Sequence, residues 1–157
     1  MSKVVVFHSG KEDYALPIAN VISIEKFSHV TPIPHLPKFV MGLVKARGEL
    51  VPVIDLGAVL YEQVSEQTEH LRLIVIHSET LNVGLLVREA KEIIDIPSDN
   101  VKDIGLLAYS KTKYFSGVIN LEDRLITMID PHILVESLEG IKEIKEYINS
   151  QKDEVNL

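Results

Sequence analysis

The sequence predicts a mainly β protein built of two similar halves. Each half holds about five short strands, enough for a small barrel or a sandwich, and a C-terminal amphipathic helix follows them. Three observations predict this. Short β-branched runs are punctuated by turn residues along most of the chain. The hydrophobic period then changes near Glu136. Above all, the chain repeats itself. VVVFHS (Val4 to Ser9) aligns with LIVIHS (Leu73 to Ser78), placing Leu16 on Leu85 and Ile24 on Ile93. FVMGLVKARGELVPVIDL aligns without a gap with YFSGVINLEDRLITMIDP, matching Gly42 to Gly117, Leu50 to Leu125, Ile54 to Ile129 and Asp55 to Asp130. Chance alignment of Val and Ile runs competes with duplication; the gapless Gly, Leu, Ile and Asp match favours duplication.

In chain order, Val4 to Ser9 and Tyr14 to Ile18 read as a hairpin around the polar turn Gly10 to Asp13. Val21, Ile22 and Ile24 suggest a third strand before Glu25 and Lys26. Pro32, Pro34 and Pro37 each lock φ and push the preceding residue towards extended geometry, so Val30 to Lys38 should be a rigid, non-helical ribbon. Phe39, Val40, Met41 and Leu43 then suit a short helical turn, and Leu50 to Leu56 a buried strand. Tyr61 to His70 lacks periodicity and reads as a loop. Leu71 to Ile76 and Val83 to Val87 form a second hairpin-like pair, and Glu92 to Ile96 a strand stopped by Pro97. Pro97 to Asp103 is a turn, and Tyr114 to Leu121 and Leu125 to Ile129 are two more strands. Beyond Glu136, Leu138, Ile141, Ile144 and Ile148 recur at three- and four-residue spacing among Lys and Glu, which is an amphipathic helix. The expected organisation is one unit over residues 1–150, with subdomains near 1–66 and 67–135, a helix over 136–150 and a flexible tail over 151–157. Whether terminal strands exchange between the subdomains stays open at this point.

A chain of 157 residues can bury roughly 68–70% of its unfolded surface as one unit. Cysteine is absent, which removes disulfides, thiolate catalysis and Cys-based zinc sites and fits a reducing cytoplasm. The N-terminal MSKVVVFHSG has an apolar core too short for a signal peptide, and no apolar run approaches the ~18–20 residues of a membrane span. The expectation is a soluble intracellular protein. A formal net charge of −7 argues against nucleic acid or anionic membrane as partner, because both need concentrated Lys and Arg. Protein partners remain.

No GxGxxG, GxxxxGK[ST], GxSxG or HExxH pattern occurs, and no cofactor or metal is expected. The six histidines form no i,i+4 pair on a helix. His8 and His77, at equivalent strand ends, read as hydrogen-bonded strand termini before they read as ligands. Asp55 and Asp130 each end an apolar strand. A catalytic carboxylate pair is conceivable, but a duplicated turn-capping Asp explains them better. Arg47 carries two readings: a solvated arginine paired with Glu49 or Glu25, or a guanidinium beside Gly48, held at a groove mouth to fix a partner's carboxylate or carbonyls. Phe39, Val40, Met41 and Leu43 are either core or a rigid apolar binding surface.

From Val4 to about Val135 the chain resembles the CheW-type coupling proteins of bacterial chemotaxis. The resemblance is carried by VVVFHSGKEDYALPIANVISI, TPIPHLPKFVMGLVKARGELVPVIDL, NVGLLV and FSGVINLEDRLITMID. The central stretch is similar to the family's proline loop and its N-L-R-G-x-x-x-P-V-I-D-L motif. The resemblance implies two SH3-like five-stranded β-barrel subdomains sharing a core. It also implies a non-enzymatic adaptor, cytoplasmic and recruited to membrane-associated receptor arrays without inserting into the membrane. Its partners would be methyl-accepting chemoreceptors and the regulatory domain of a CheA-type histidine kinase. Carried over by position, the receptor-facing groove comprises Val21, Ser23, Arg47, Gly48 and Gly84, and the kinase-facing surface Phe39, Val40, Met41 and Gly42.

The chain departs from the family pattern at four places. Lys45 and Ala46 stand where Asn and Leu commonly precede Arg-Gly, and Ser23 and Arg88 stand where acidic residues are common. The last change removes the obvious partner of Arg47. On this reading a bulky residue at Gly42 weakens kinase contact and leaves the fold intact. Two other readings stand beside it: an adaptor of the same ancestry in a non-flagellar system such as pilus motility or gene regulation, and a small-ligand-binding or catalytic double barrel using the Asp55 and Asp130 region or the cleft between the halves.

Overall fold

A computed structural model describes residues 2–27, 29–66, 68–97, 101–102 and 112–155. The apolar β-branched opening forms β1 (Ser2–Ser9), which turns at Gly10 into β2 (Glu12–Pro17), with Val5 opposite Leu16 and Phe7 opposite Tyr14. A 3-10 turn (Ile18–Asn20) leads into β3 (Val21–Lys26), and the proline ribbon runs on to β4 (Val40–Ala46). Arg47 and Gly48 join β4 to β5 (Glu49–Asp55). Both have positive φ, 50° and 79°, the mark of a two-residue type I′ hairpin turn. A short helix, α1 (Leu56–Tyr61), follows, then β6 (Leu71–Ile76) and the long β7 (Val83–Ile96). The chain closes with β8 (Val101–Lys102), β9 (Phe115–Leu121), β10 (Arg124–Ile129), α2 (Pro131–Ser137) and α3 (Ile141–Val155).

Three expectations change. Phe39 to Leu43 is not a helical turn but the start of β4, because the ribbon ends at Val40 by pairing and not by coiling. The Thr31 and Leu43 N–H groups each donate to the other's carbonyl at 2.9 Å. A helix fills Leu56–Tyr61, between the stretch read as strand and the stretch read as loop, since Asp55 caps α1 and does not merely turn the chain. The C-terminal helix is in two pieces, broken at Gly140 with φ of 77°, and its second piece runs to Val155, into the stretch expected to be a tail. The turn expected over Pro97 to Asp103 lies largely outside the described residues.

The strand order is β3-β6-β7-β1-β2-β10-β9-β8, with β5 on the other side of β7 and β4 on β5. Each strand group therefore draws on both halves of the sequence. The β6–β7 hairpin sits among β3, β4 and β5, while the β1–β2 hairpin sits beside β9 and β10. The exchange is reciprocal and keeps register. Parallel pairing sets Val53 against Gly84 in one group and Met128 against Ala15 in the other, and these are equivalent positions of the repeat. The same holds for Leu73 against Glu25 and Val4 against Ile94. Among the described residues neither group closes into a hydrogen-bonded ring of named strands; the Thr31–Leu43 bridge comes nearest.

β7 serves both groups. Up to Arg88 it pairs with β6, and from Arg88 onward with β1. Between them Glu89 takes a left-handed φ of 51°, which bends the strand from one group into the other. Alternate residues of β1 and β6 face different cores, which is why these strands read as unbroken apolar runs. Val4 and Val6 enter the interior of the second group with Ile119 and Ile126, and Leu73 and Val75 enter that of the first with Val51 and Val53. Val5, Phe7, Ile74 and Ile76 share a central core with Leu85 and Ile129. Helix α3 adds Ile141, Ile144 and Ile148 to that core, leaving Lys142, Glu143, Lys145 and Glu146 in solvent. The arrangement is two small barrel-like groups around a shared core with a C-terminal helix against them.

Candidate interaction surface

The surface is built from segments that the repeat does not duplicate, the ribbon and the Arg47–Gly48 tip, together with loops that meet them. At the tip Arg47 is exposed, and among the described residues its guanidinium has no ion-pair partner. Neither partner weighed for it is engaged with it: Glu25 accepts from the Ser23 hydroxyl at 2.8 Å, and the Glu49 carboxylate lies 3.4 Å from the Asn82 amide nitrogen. That contact draws the β6–β7 loop to the tip.

The same loop is tied to the entry of β3. The His77 N–H donates to the Asn20 carbonyl at 2.8 Å, and the His77 Nδ1 lies 2.9 Å from the Asn82 Oδ1. From the second half, α2 contributes His132, whose Nδ1 accepts the Glu79 N–H at 3.1 Å and whose Nε2 lies 3.2 Å from the Asn20 Nδ2. The two imidazoles stand edge to face, 6.2 Å apart. Asn20, His77, Asn82, Glu49 and His132 thus form one polar junction; Val21 and Gly48 lie next to its members in sequence, and Gly84 two residues beyond Asn82. Periodicity could not have found it, because its residues come from loops and strand ends. The only sequence signal was that His77 ends a repeated strand.

The receptor-facing residues inferred from the resemblance fall into two sets. Val21 packs at the edge of the shared core, and Arg47 and Gly48 are exposed at the tip. Ser23 and Gly84 both pair with Val75 of β6 and belong to a row that crosses the first strand group: Ser23, Val75, Gly84, Val53, Gly42. Val75 and Val53 line that group's interior, and a Cβ on Gly84 would come within 2.8 Å of the Leu73 side chain. Of the kinase-facing set, Val40 is buried in the shared core, while Phe39 and Met41 are half-buried. Gly42 corrects an expectation. Its φ is 149° and a Cβ there would stand 2.1 Å from the Thr31 carbonyl oxygen, so a bulky residue cannot leave the fold intact.

Phe39 also borders a cleft of about 1250 Å³ between the ribbon, α1, the approach to β9 and the end of α2. Its floor is aromatic: Tyr14 stacks between Phe7 and Phe115, and Tyr114 meets Phe115 edge-on at 4.7 Å. Tyr61 donates to the Ser9 carbonyl at 3.2 Å, which leaves Tyr14 to donate to the Tyr61 oxygen. Burial, then the Tyr61 hydrogen bond, push the Tyr14 phenol well above its ordinary value, and burial also raises Tyr114. A raised folded pKa means a contribution fully present below the unfolded value of about 10 and lost as the pH rises through the folded one. We therefore expect urea-measured stability to decline above pH 10, and to decline less in Tyr14→Phe; equal slopes would contradict this placement of the phenol.

The remaining well-held polar groups are structural. Asp55 and Asp130 cap α1 and α2, and His8 lies against Asp13 and Glu89. Among the described residues no three His, Cys, Asp or Glu side chains are grouped to hold a metal ion, and no helix is long and apolar enough to cross a membrane.

Fold and surface together define a β module of the interaction class, in which rigid loops and a hairpin tip stand on two barrel-like groups with a common core. The chain belongs to the CheW-like domain family, which it matches over residues 3–139; α3 lies beyond that range. It is similar to the chemotaxis protein CheW of Bacillus subtilis, 28% identical over 135 residues that cover 85% of this chain and 86% of that protein. The CheW of Rhizobium meliloti is 27% identical over 129 residues, 82% of this chain and 83% of its own. The crystal structure of the scaffolding protein TtCheW from Thermoanaerobacter tengcongensis superposes with a TM-score of 0.77 at 28% identity, covering 88% of this chain and 90% of that one. The family and its solved member are scaffolding proteins, not enzymes.

Proposed function

We propose that this chain is a cytoplasmic adaptor that couples chemoreceptor signalling tips to the regulatory domain of a CheA-type histidine kinase, and so controls kinase autophosphorylation. The observation that carries the reading is spatial: Val21, the Arg47–Gly48 tip and the loop leading to Gly84 converge on one polar junction where the two halves of the chain meet. A receptor helix fits beside an exposed guanidinium at such a junction, because a fork of donors can hold its carboxylates or terminal carbonyls. Ser23 and Gly84 act from beneath, by shaping the strands that carry this surface. The kinase takes the apolar side of the first strand group around Phe39 and Met41, next to the ribbon.

Titration calorimetry with the isolated regulatory domain of the cognate kinase tests the first half of this reading; absence of binding would overturn it. For the second half, Arg47→Glu should weaken binding to a soluble chemoreceptor signalling fragment by about tenfold, and kinase binding by less than about twofold. Equal loss of both, or no loss, would remove Arg47 from the groove. The arginine sits at a hairpin tip with positive φ, so its substitution is not expected to disturb the core.

A further inference from the structure

We propose that His132 is the positioning residue that holds the two sides of the receptor-facing groove in place, an inference that rests on the groove reading above. From α2 its side chain reaches two strand entries of the first strand group, the loop before β7 and the turn before β3. Its Nδ1 accepts the Glu79 N–H at 3.1 Å, fixing the β6–β7 loop. Because Nδ1 accepts, Nε2 carries the proton; it lies 3.2 Å from the Asn20 carboxamide, whose oxygen accepts it when the amide is turned towards the ring, and this fixes the residue before Val21. The residue is itself anchored: the His132 backbone N–H donates to the Asp130 Oδ1 at 3.0 Å at the start of α2, and the His77 ring stands against its imidazole.

From there the contacts run outward. His77 bonds to Asn82, and Asn82 reaches Glu49, the residue that follows Gly48. One imidazole at the head of α2 therefore sets where three loops of the first strand group stand: the turn before β3, the β4–β5 tip and the β6–β7 loop. Without it the Glu79 N–H turns to water and the loop is tied to α2 by one contact fewer. Helix position alone does not supply this, because α2 packs through Leu134 and Val135 into the shared core and presents His132 at its other side.

Three variants separate the two hydrogen bonds. In His132→Asn the carboxamide oxygen can take the place of Nδ1 and accept from Glu79; in His132→Gln the longer side chain reaches the Nε2 position and Asn20; His132→Leu keeps bulk and loses both. The full chain is assayed against a soluble chemoreceptor signalling fragment and against the isolated kinase regulatory domain, with hydrogen exchange read at the Glu79 amide. Leucine should weaken receptor binding by about tenfold and kinase binding by less than about twofold, while asparagine stays within about threefold of the parent for both. Glu79 exchange should quicken in the leucine and glutamine variants and not in asparagine. Parent-like receptor binding or unchanged Glu79 exchange in the leucine variant overturns the proposal, as does asparagine failing as badly as leucine. Equal loss of receptor and kinase binding in the leucine variant reduces His132 to a general structural role and overturns it too. If the parent chain itself does not bind the receptor fragment, the groove reading falls first and this inference with it.

Discussion

Gly42→Val is expected to lower the unfolding free energy by about 3–5 kcal/mol, a size reserved for backbone conflicts and core failures. Two independent obstacles combine. A φ of 149° is a conformation that side chains rarely adopt, and a Cβ would lie 2.1 Å from the Thr31 oxygen and 2.7 Å from its carbonyl carbon. Backbone cannot give way as a side chain can, so the Thr31–Leu43 pair must open and release the ribbon from β4. Gly48 is the control. Its φ is 79°, yet nothing lies within 4 Å of a Cβ there, so Gly48→Ala should cost only the left-handed penalty of about 1–2 kcal/mol. Urea denaturation of both variants decides the matter; a Gly42→Val change below about 1 kcal/mol would mean the ribbon is not locked as described. It follows that loss of kinase binding in a Gly42 variant would report on folding, and Phe39 is the better probe of that surface.

Asp55→Ala and Asp130→Ala should differ although the two residues are repeat equivalents. Asp130 does one job: half-buried, it accepts the His132 and Ile133 N–H groups at 3.0 and 3.2 Å, and its loss should cost about 1 kcal/mol, as for an ordinary N-cap. Asp55 is fully buried and holds a second segment besides its helix. Its carboxylate accepts the Ala58 N–H at 3.4 Å, the Ser65 N–H at 2.8 Å and the Ser65 hydroxyl at 2.6 Å. Alanine there leaves three half-buried donors without their acceptor and frees the chain after α1, so we expect a loss of about 2–4 kcal/mol, measured in the same urea experiment. Asp55→Asn, which keeps one acceptor oxygen, should fall between. Equal costs at the two positions would show that the Ser65 contacts contribute nothing.

These residues also show how far the sequence can be read. A capping role for Asp55 and Asp130 was legible because both follow an apolar strand at equivalent positions, and a carboxylate there has its own following backbone to bond. That Asp55 also gathers Ser65 was not legible, since nothing in Tyr61 to His70 marks a particular residue as its partner. The helical turn expected at Phe39 to Leu43 is strand for a similar reason: four apolar residues after a proline loop fit either period, and only the Thr31 pairing selects extended chain. The polar junction around His132 was invisible because it joins Asn20, Glu79 and His132, which no spacing rule connects.

The sequence by itself determined that this is a mainly β chain of two related halves with an amphipathic helix after them, because strand periodicity, turn residues and the repeat are local properties. It also carried the family resemblance. The tertiary structure decided which strands lie together. A barrel-like group of five strands needs a hairpin whose two faces are both covered, and β1–β2 and β6–β7 are apolar on both faces. Each is therefore inserted between strands of the other half, with β7 bent at Glu89 to serve both groups. That exchange brings the Arg47 tip, the β6–β7 loop and His132 to one place, and burial on two faces, which no single half could supply, is its physical cause.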